Sequence, residues 1–163
     1  MKLADLHSQL ESLHPNSFAW AVACCRGDRD EAADVLQTAY EKVLNGKARF
    51  GGGSALKTWL FGVIRLTAQE FFRRTVRRNE ALEKLTLEPR SWSEEVIDAE
   101  QVGLALNQLS PQQRELTHLV FYEGMTIQEA ADALEVSVGT ARQHYARAKQ
   151  KLREQLQPIA TAS

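Results

Sequence analysis

The stretch TIQEAADALEVSVGTARQHYARAKQKL, Thr126 to Leu152, decides the reading of the chain. Thr126-Ile127-Gln128-Glu129 has the form of a capping box, a hydroxyl three residues before a carboxylate, and opens a short helix over Ile127–Leu134. Ala130 and Ala131 are small enough to let another helix cross closely. Glu135-Val136 makes a tight break at a place where such turns usually take glycine. A residue with a Cβ forced to positive φ costs about 1 kcal/mol, so either a slightly different turn or slight strain is expected at Glu135. Ser137 then caps a longer helix. Its Ala141, Tyr145, Ala148 and Leu152 share one apolar face, and Thr140, Arg142, Gln143, Arg147 and Lys151 lie on the other.

Short helix, tight turn and longer helix with a polar, basic outer face are the grammar of a helix-turn-helix. An α-helix fits the width of a DNA major groove. Arg and Gln near its N-terminus make bidentate bonds to base edges. The free N–H groups at that end favour a phosphate, and later Arg and Lys neutralise phosphates without reading sequence. Ser137, Thr140, Arg142, Gln143, Arg147 and Lys151 are therefore the candidate DNA contacts. A basic amphipathic helix in an ordinary hairpin would share the charge, but here the capping, the small residues and the polarity split all agree with the DNA-reading motif.

Charge distribution extends this reading outward. The formal charge of the 163 residues is only -1, so global basicity does not point to nucleic acid. Its placement does. From Lys57 to Arg90 there are eight Lys/Arg against four Asp/Glu, and from Ser137 to Arg153 there are five against none. Acid collects at Asp28, Asp30, Glu31 and Asp34, and again at Glu94, Glu95, Asp98 and Glu100. Such asymmetry suggests faces with different partners. Cys24 and Cys25 are adjacent in an apolar run and read as reduced core residues of a cytosolic protein, with no disulfide framework. No ligand spacing suggests a metal at His7 or His14. No run approaches the ~20 apolar residues that span a bilayer, and the N-terminal MKLADLHSQLESL reads as a helix rather than a secretory leader.

Strand patterns are scarce and helical spacing recurs throughout, so the fold class is all-α. Helices are expected over Leu3–Leu13, stopped near Pro15, over Ser17–Arg26, and from Asp28 or Asp30 to Leu44, with Gly46 as a C-terminal stop. KARFGGGSALKTWL, Lys47 to Leu60, places three glycines in a loop. Ser54 is expected to cap a helix from Ala55 to about Asn79, with Leu56, Trp59, Leu60, Val63, Ile64 and Phe71 as its buried stripe. Past Phe72 this helix turns basic at Arg73, Arg74, Arg77 and Arg78. TLEPRSWS, Thr86 to Ser93, opens a linker; Glu94–Gln108 reads as a helix, and Ser110-Pro111-Gln112-Gln113 starts one that ends near Gly124. The expected organisation is residues 1–85 as one helical domain, 86–105 as linker and first helix of the second, and 106–163 as the helix-turn-helix domain.

With these elements in hand, LSPQQRELTHLVFYEGMTIQEAADALEVSVGTARQHYARAKQKLR, Leu109 to Arg153, resembles the DNA-binding C-terminal domain of the extracytoplasmic-function (ECF) sigma factors of bacterial RNA polymerase. GDRDEAADVLQTAYEKVL from Gly27, RFGGGSALKTWLFGVIR from Arg49 and the arginine run resemble the promoter-melting domain of the same family. The resemblance implies a cytoplasmic binding protein, nucleoid-associated when active, with no catalytic site and no cofactor. Its implied partners are core RNA polymerase, double-stranded and melted promoter DNA, and an anti-sigma factor. It places Asp34, Gln37 and Glu41 toward the polymerase. Arg49, Lys57, Arg65, Arg73, Arg74 and Arg77 become an electropositive track for the melted -10 element, and the C-terminal helix reads the -35 element as duplex. Trp59 is a possible stacking surface, although its spacing with Leu56 and Val63 favours the core; Phe50 and Phe61 carry no clear assignment. Two positions depart from the pattern. Leu66 stands where the family usually has Asn, and Glu70 where it has Asp, which weakens the expectation of strong melting. The rival readings are a stand-alone helix-turn-helix regulator and a degenerate sigma-like adaptor that binds polymerase without opening DNA.

Overall fold

Every regular element among the described residues of the computed structural model is helical. The structure describes residues 2–79, 105, 106 and 108–160, and side chains as far as 76 in the first part and 155 in the last. The expected linker from Thr86 and most of the helix expected over Glu94–Gln108 lie outside the described residues. The chain divides into two compact units, the first holding α1, α2 and α3, the second α4, α6 and most of α5.

In the first unit, α1 (Leu3–Cys24) runs without interruption through Pro15. The expected break there is corrected. Proline inside a helix removes one hydrogen bond and crowds the preceding turn, at a cost of ~3 kcal/mol. Leu10, Ser17, Trp20, Ala21 and Val22, on both sides of it, are buried, and a large apolar side chain gains ~1.5–3 kcal/mol on burial. Trp20 is fully buried; its indole N–H donates to the Phe61 carbonyl at 2.9 Å and its ring stacks on Phe61 at 5.6 Å. Packing on both sides therefore outweighs the local penalty.

The Asp28 carboxylate caps α2 (Arg29–Leu44), accepting from the Glu31 amide at 3.0 Å. Ala32, Val35, Leu36, Ala39 and Val43 form its buried stripe. Asn45 and Gly46, the latter at φ +79°, end it as expected. α3 (Leu56–Asn79) differs from its expected pattern. Its fully or almost fully buried residues are Thr58, Leu60, Phe61, Ile64, Thr67 and Ala68, whereas Leu56, Trp59, Val63 and Phe71 are only half-buried. Two threonines and an alanine form part of the seam because the helix lies across both α1 and α2, and small side chains permit close crossing. The Ser54 hydroxyl donates to the Ala55 carbonyl at 3.4 Å rather than capping an amide. Lys42 of α2 reaches α3 directly, donating to Glu70 at 2.8 Å and Thr67 at 3.1 Å.

In the second unit, α4 (Pro111–Thr117) begins with both halves of its capping box formed between Ser110 and Gln113. It continues as a π-helical turn over His118–Tyr122, and Gly124 at φ +68° closes it. α5 (Ile127–Leu134) is capped by Thr126, whose hydroxyl accepts from the Glu129 amide at 3.1 Å. α6 (Val138–Ala160) begins after a turn through Glu135 and Val136. Glu135 takes φ +55°, so the turn keeps the left-handed corner at a residue with a Cβ instead of adopting a different form.

The turn and the cysteines each give a measurable outcome. Glu135→Gly relieves a left-handed Cβ at some loss of chain entropy, and should raise stability by ~0.5–1 kcal/mol in a denaturant melt. Neither Cys24 nor Cys25 is in a disulfide, and burial, reinforced by Glu31 and Asp28, pushes the Cys25 thiol up to about 12. A raised thiol pKa stabilises the fold below the pKa of the free thiol; that contribution is lost as pH climbs toward 12. At pH 9, Cys25 should therefore resist iodoacetamide in the folded chain and react in urea, as read by peptide mass.

Candidate nucleic-acid interface

α6 is built to show one face. Ala141 and Ala148 are completely buried and Tyr145 and Leu152 half-buried, so the apolar side packs inward. Ser137, Arg142, Gln143, Arg147 and Lys151 are exposed, and Thr140 is half-exposed. Ser137 accepts from the Thr140 amide at 3.0 Å and donates to its hydroxyl at 2.9 Å, fixing the first turn. Lys149 lies over the Tyr145 ring at 4.6 Å, and Phe121 packs against Tyr145 at 5.8 Å. Arg142, Gln143 and Arg147 thus stand together on an open surface beside the helix N-terminus. Lys151 belongs to the same face by register, but its ammonium donates to Gln113 of α4 at 3.2 Å.

The first unit supplies a different surface. The loop through Gly51, Gly52 and Gly53 is exposed, with Gly52 at φ +79°, and no atom lies within 4 Å of where a Cβ would stand on any of the three. Phe50 and Trp59 flank it, half-buried, their rings 5.4 Å apart. Phe61 is core, whereas Trp59 is only half-buried, where its spacing favoured the core. A helical period cannot signal this, because the partner ring comes from the loop. Arg49 is exposed and donates to the Gly46 carbonyl at 3.4 Å. Lys57 sits over the Phe61 ring at 5.8 Å and Arg65 is half-buried, whereas Arg73 and Arg74 are exposed beyond Glu70. Arg77 lies on α3, and its side chain is outside the described residues.

On α2, Asp34, Gln37 and Glu41 form an exposed row at helical spacing, and Gln37 donates to Glu41 at 3.4 Å. This row lies opposite the stripe that packs in the core. Among the described residues no group of His, Cys, Asp and Glu is arranged to hold a metal ion, and no helix is long and apolar enough to cross a membrane.

Comparison with known proteins agrees with this geometry. The Sigma-70 region 2 family matches residues 10–78 and the Sigma-70 region 4 family residues 99–152. The chain is 29% identical to the ECF RNA polymerase sigma factor SigX of Bacillus subtilis, over 80% of this chain and 73% of that protein. It is also 29% identical to the ECF sigma factor EcfG of Rhodopseudomonas palustris, over 93% and 86%. The chain belongs to the extracytoplasmic-function sigma factors. The solved structure of the sigma factor RpoE from Bartonella quintana, in complex with the anti-sigma factor NepR, matches this sigma factor with a TM-score of 0.82 at 27% identity. It covers 94% of this chain and 97% of that one. The fold is shared with CnrH, at a TM-score of 0.64 and 24% identity. This sigma factor is thus a promoter-recognising, all-helical protein with region 2 and region 4 parts.

Ser137 caps α6 and stands exposed at its N-terminus, so a loss of the cap and a change of surface charge can be separated there. Ser137→Ala should lower stability by ~0.5–2 kcal/mol through loss of the cap. Ser137→Asp keeps a cap and should leave the melt unchanged, while its carboxylate at the helix tip should weaken promoter binding in a gel-shift with polymerase.

Proposed function

We propose that this sigma factor docks on core polymerase through α2, engages the melted -10 element through the glycine loop and α3, and reads the -35 duplex through α6. The observation that carries the reading is the exposed polar face of α6, free of acid from Val138 to Arg153, behind a capped turn, in one chain with an aromatic pair beside an open glycine loop. Asp34, Gln37 and Glu41 form the polymerase-facing row. Arg49, Lys57, Arg65, Arg73, Arg74 and Arg77 supply charge along the -10 strand, and Phe50 with Trp59 offers a stacking surface for an unpaired base. Ser137, Thr140, Arg142, Gln143 and Arg147 meet the -35 duplex. Residues 1–85 and 106–163 are the two working domains, with 86–105 joining them.

The work is binding and not bond chemistry. It takes place in the cytoplasm, at the nucleoid when the factor is active. The RpoE match, solved with NepR bound, supports control by an anti-sigma factor that covers one of these surfaces. One observation favours a second reading, a sigma-like adaptor that holds polymerase but opens promoters poorly: Leu66, on α3, is 40% exposed and offers DNA an apolar side chain without hydrogen-bonding groups.

In vitro transcription with bacterial core polymerase on a pool of genomic fragments tests both. New transcripts at a fixed distance from a shared bipartite motif are expected. Co-elution with core polymerase without transcripts would favour the adaptor, and neither would end the sigma assignment of these surfaces. Arg142→Ala should weaken binding to that promoter by ~1–3 kcal/mol and relax preference at a single -35 position.

A further inference from the structure

Among the described residues of α6, the two that are completely buried are alanines, Ala141 and Ala148, one methyl each. Methyl groups bring helices close but interlock weakly, so they do little to fix the helix against swing. Among the described residues the larger side chains of this face, Tyr145 on Phe121 and Leu152, are only half-buried. The reading end is sensitive to any swing. Thr140 and Lys151 are eleven residues apart, which is ~16 Å along the axis. A rotation of ~10° about the rear of α6 moves the reading end by ~3 Å, whereas a base contact tolerates only ~0.5 Å.

At the rear, two side chains one turn apart reach the same corner of the second unit. Lys151 donates to Gln113 Oε1 at 3.2 Å, and Gln155 bonds to Gln108 Oε1. That corner is rigid. Gln113 is 6% exposed, and its Oε1 also accepts from the Ser110 amide while its own amide donates to Ser110 Oγ. Arg114 binds the carbonyls of Leu106 and Leu109 at 3.3 and 3.4 Å, closing the same corner from the other side.

We propose that Lys151 is a positioning residue for -35 recognition. It latches the rear of α6 onto the Ser110–Gln113 capping box, with Gln155 as the second point of the latch, and does not bind a DNA phosphate. The proposal rests on α6 being the -35 reader. Its chemistry separates from that of a phosphate contact in one respect. A lysine on a phosphate releases counterion on binding and adds about one to the salt slope of affinity, whatever the sequence. A latch adds nothing to that slope and acts through the angle of the helix.

The test uses Lys151→Met, which keeps the stem and loses the ammonium, and Lys151→Arg, which keeps a donor. In the free full-length chain, hydrogen exchange should quicken several-fold over residues 110–114 and 140–150 in Lys151→Met and stay near the parent in Lys151→Arg. In the holoenzyme, Lys151→Met should lose several-fold preference for its promoter over a scrambled -35 element, with the salt slope unchanged. Gln113→Glu keeps the capping box and gives Lys151 a charged acceptor; it should slow exchange in the same segments and guards against a misfolded methionine variant. Unchanged exchange in the free chain would overturn the latch, as would a fall of about one in the salt slope with preference intact. A parent holoenzyme without promoter preference would refute the -35 reading itself, while the exchange measurement would still decide the latch.

Discussion

A helix begins with amide groups that have no partner inside it, and among the described residues four side chains satisfy them at the same offset. Asp28, Ser110, Thr126 and Ser137 each accept from the backbone amide three residues on, at 3.0 to 3.2 Å. Each cap fixes the residue at which a helix starts, and the start fixes which side chains share a face. A shift of one residue at Ser137 would turn α6 by ~100° and bring Arg142 toward the packed side. Both the row on α2 and the basic face of α6 depend on this local bond.

Charge is sorted by the same device. Asp28 and Ser137 begin helices of opposite character, one with acid in its first turn and one with none. The acidic start suits the positive end of the helix dipole. The bare start of α6 leaves that end to an outside anion. The net charge near zero is thus a balance of acidic and basic surfaces, and it carries no message about affinity for nucleic acid.

Strain lies at a corner between helices. Glu135 holds a left-handed conformation that glycine would adopt freely, immediately before the cap of α6. The packing of α6 imposes this turn, because the helix must return its alanines to the core and keep its arginines out. A cost of ~1 kcal/mol is small against the burial that the turn permits.

The all-helical class, the caps at Ser110, Thr126 and Ser137 and the two faces of α6 were legible in the residues alone. Each depends on neighbours within a turn or two, where side-chain offset and helical period speak directly. Other features belonged to the tertiary structure. Pro15 stays inside α1 because burial around Trp20 outweighs a local penalty. The seam of α3 runs through Thr58, Thr67 and Ala68 because α3 meets two helices rather than one. Trp59 is half-buried against Phe50, nine residues earlier in the loop, a contact that helical spacing does not encode. Lys151 meets Gln113 across 38 positions of sequence. A periodic pattern reports which face is apolar; only the packed chain decides what that face meets, and which charged groups remain free for a partner.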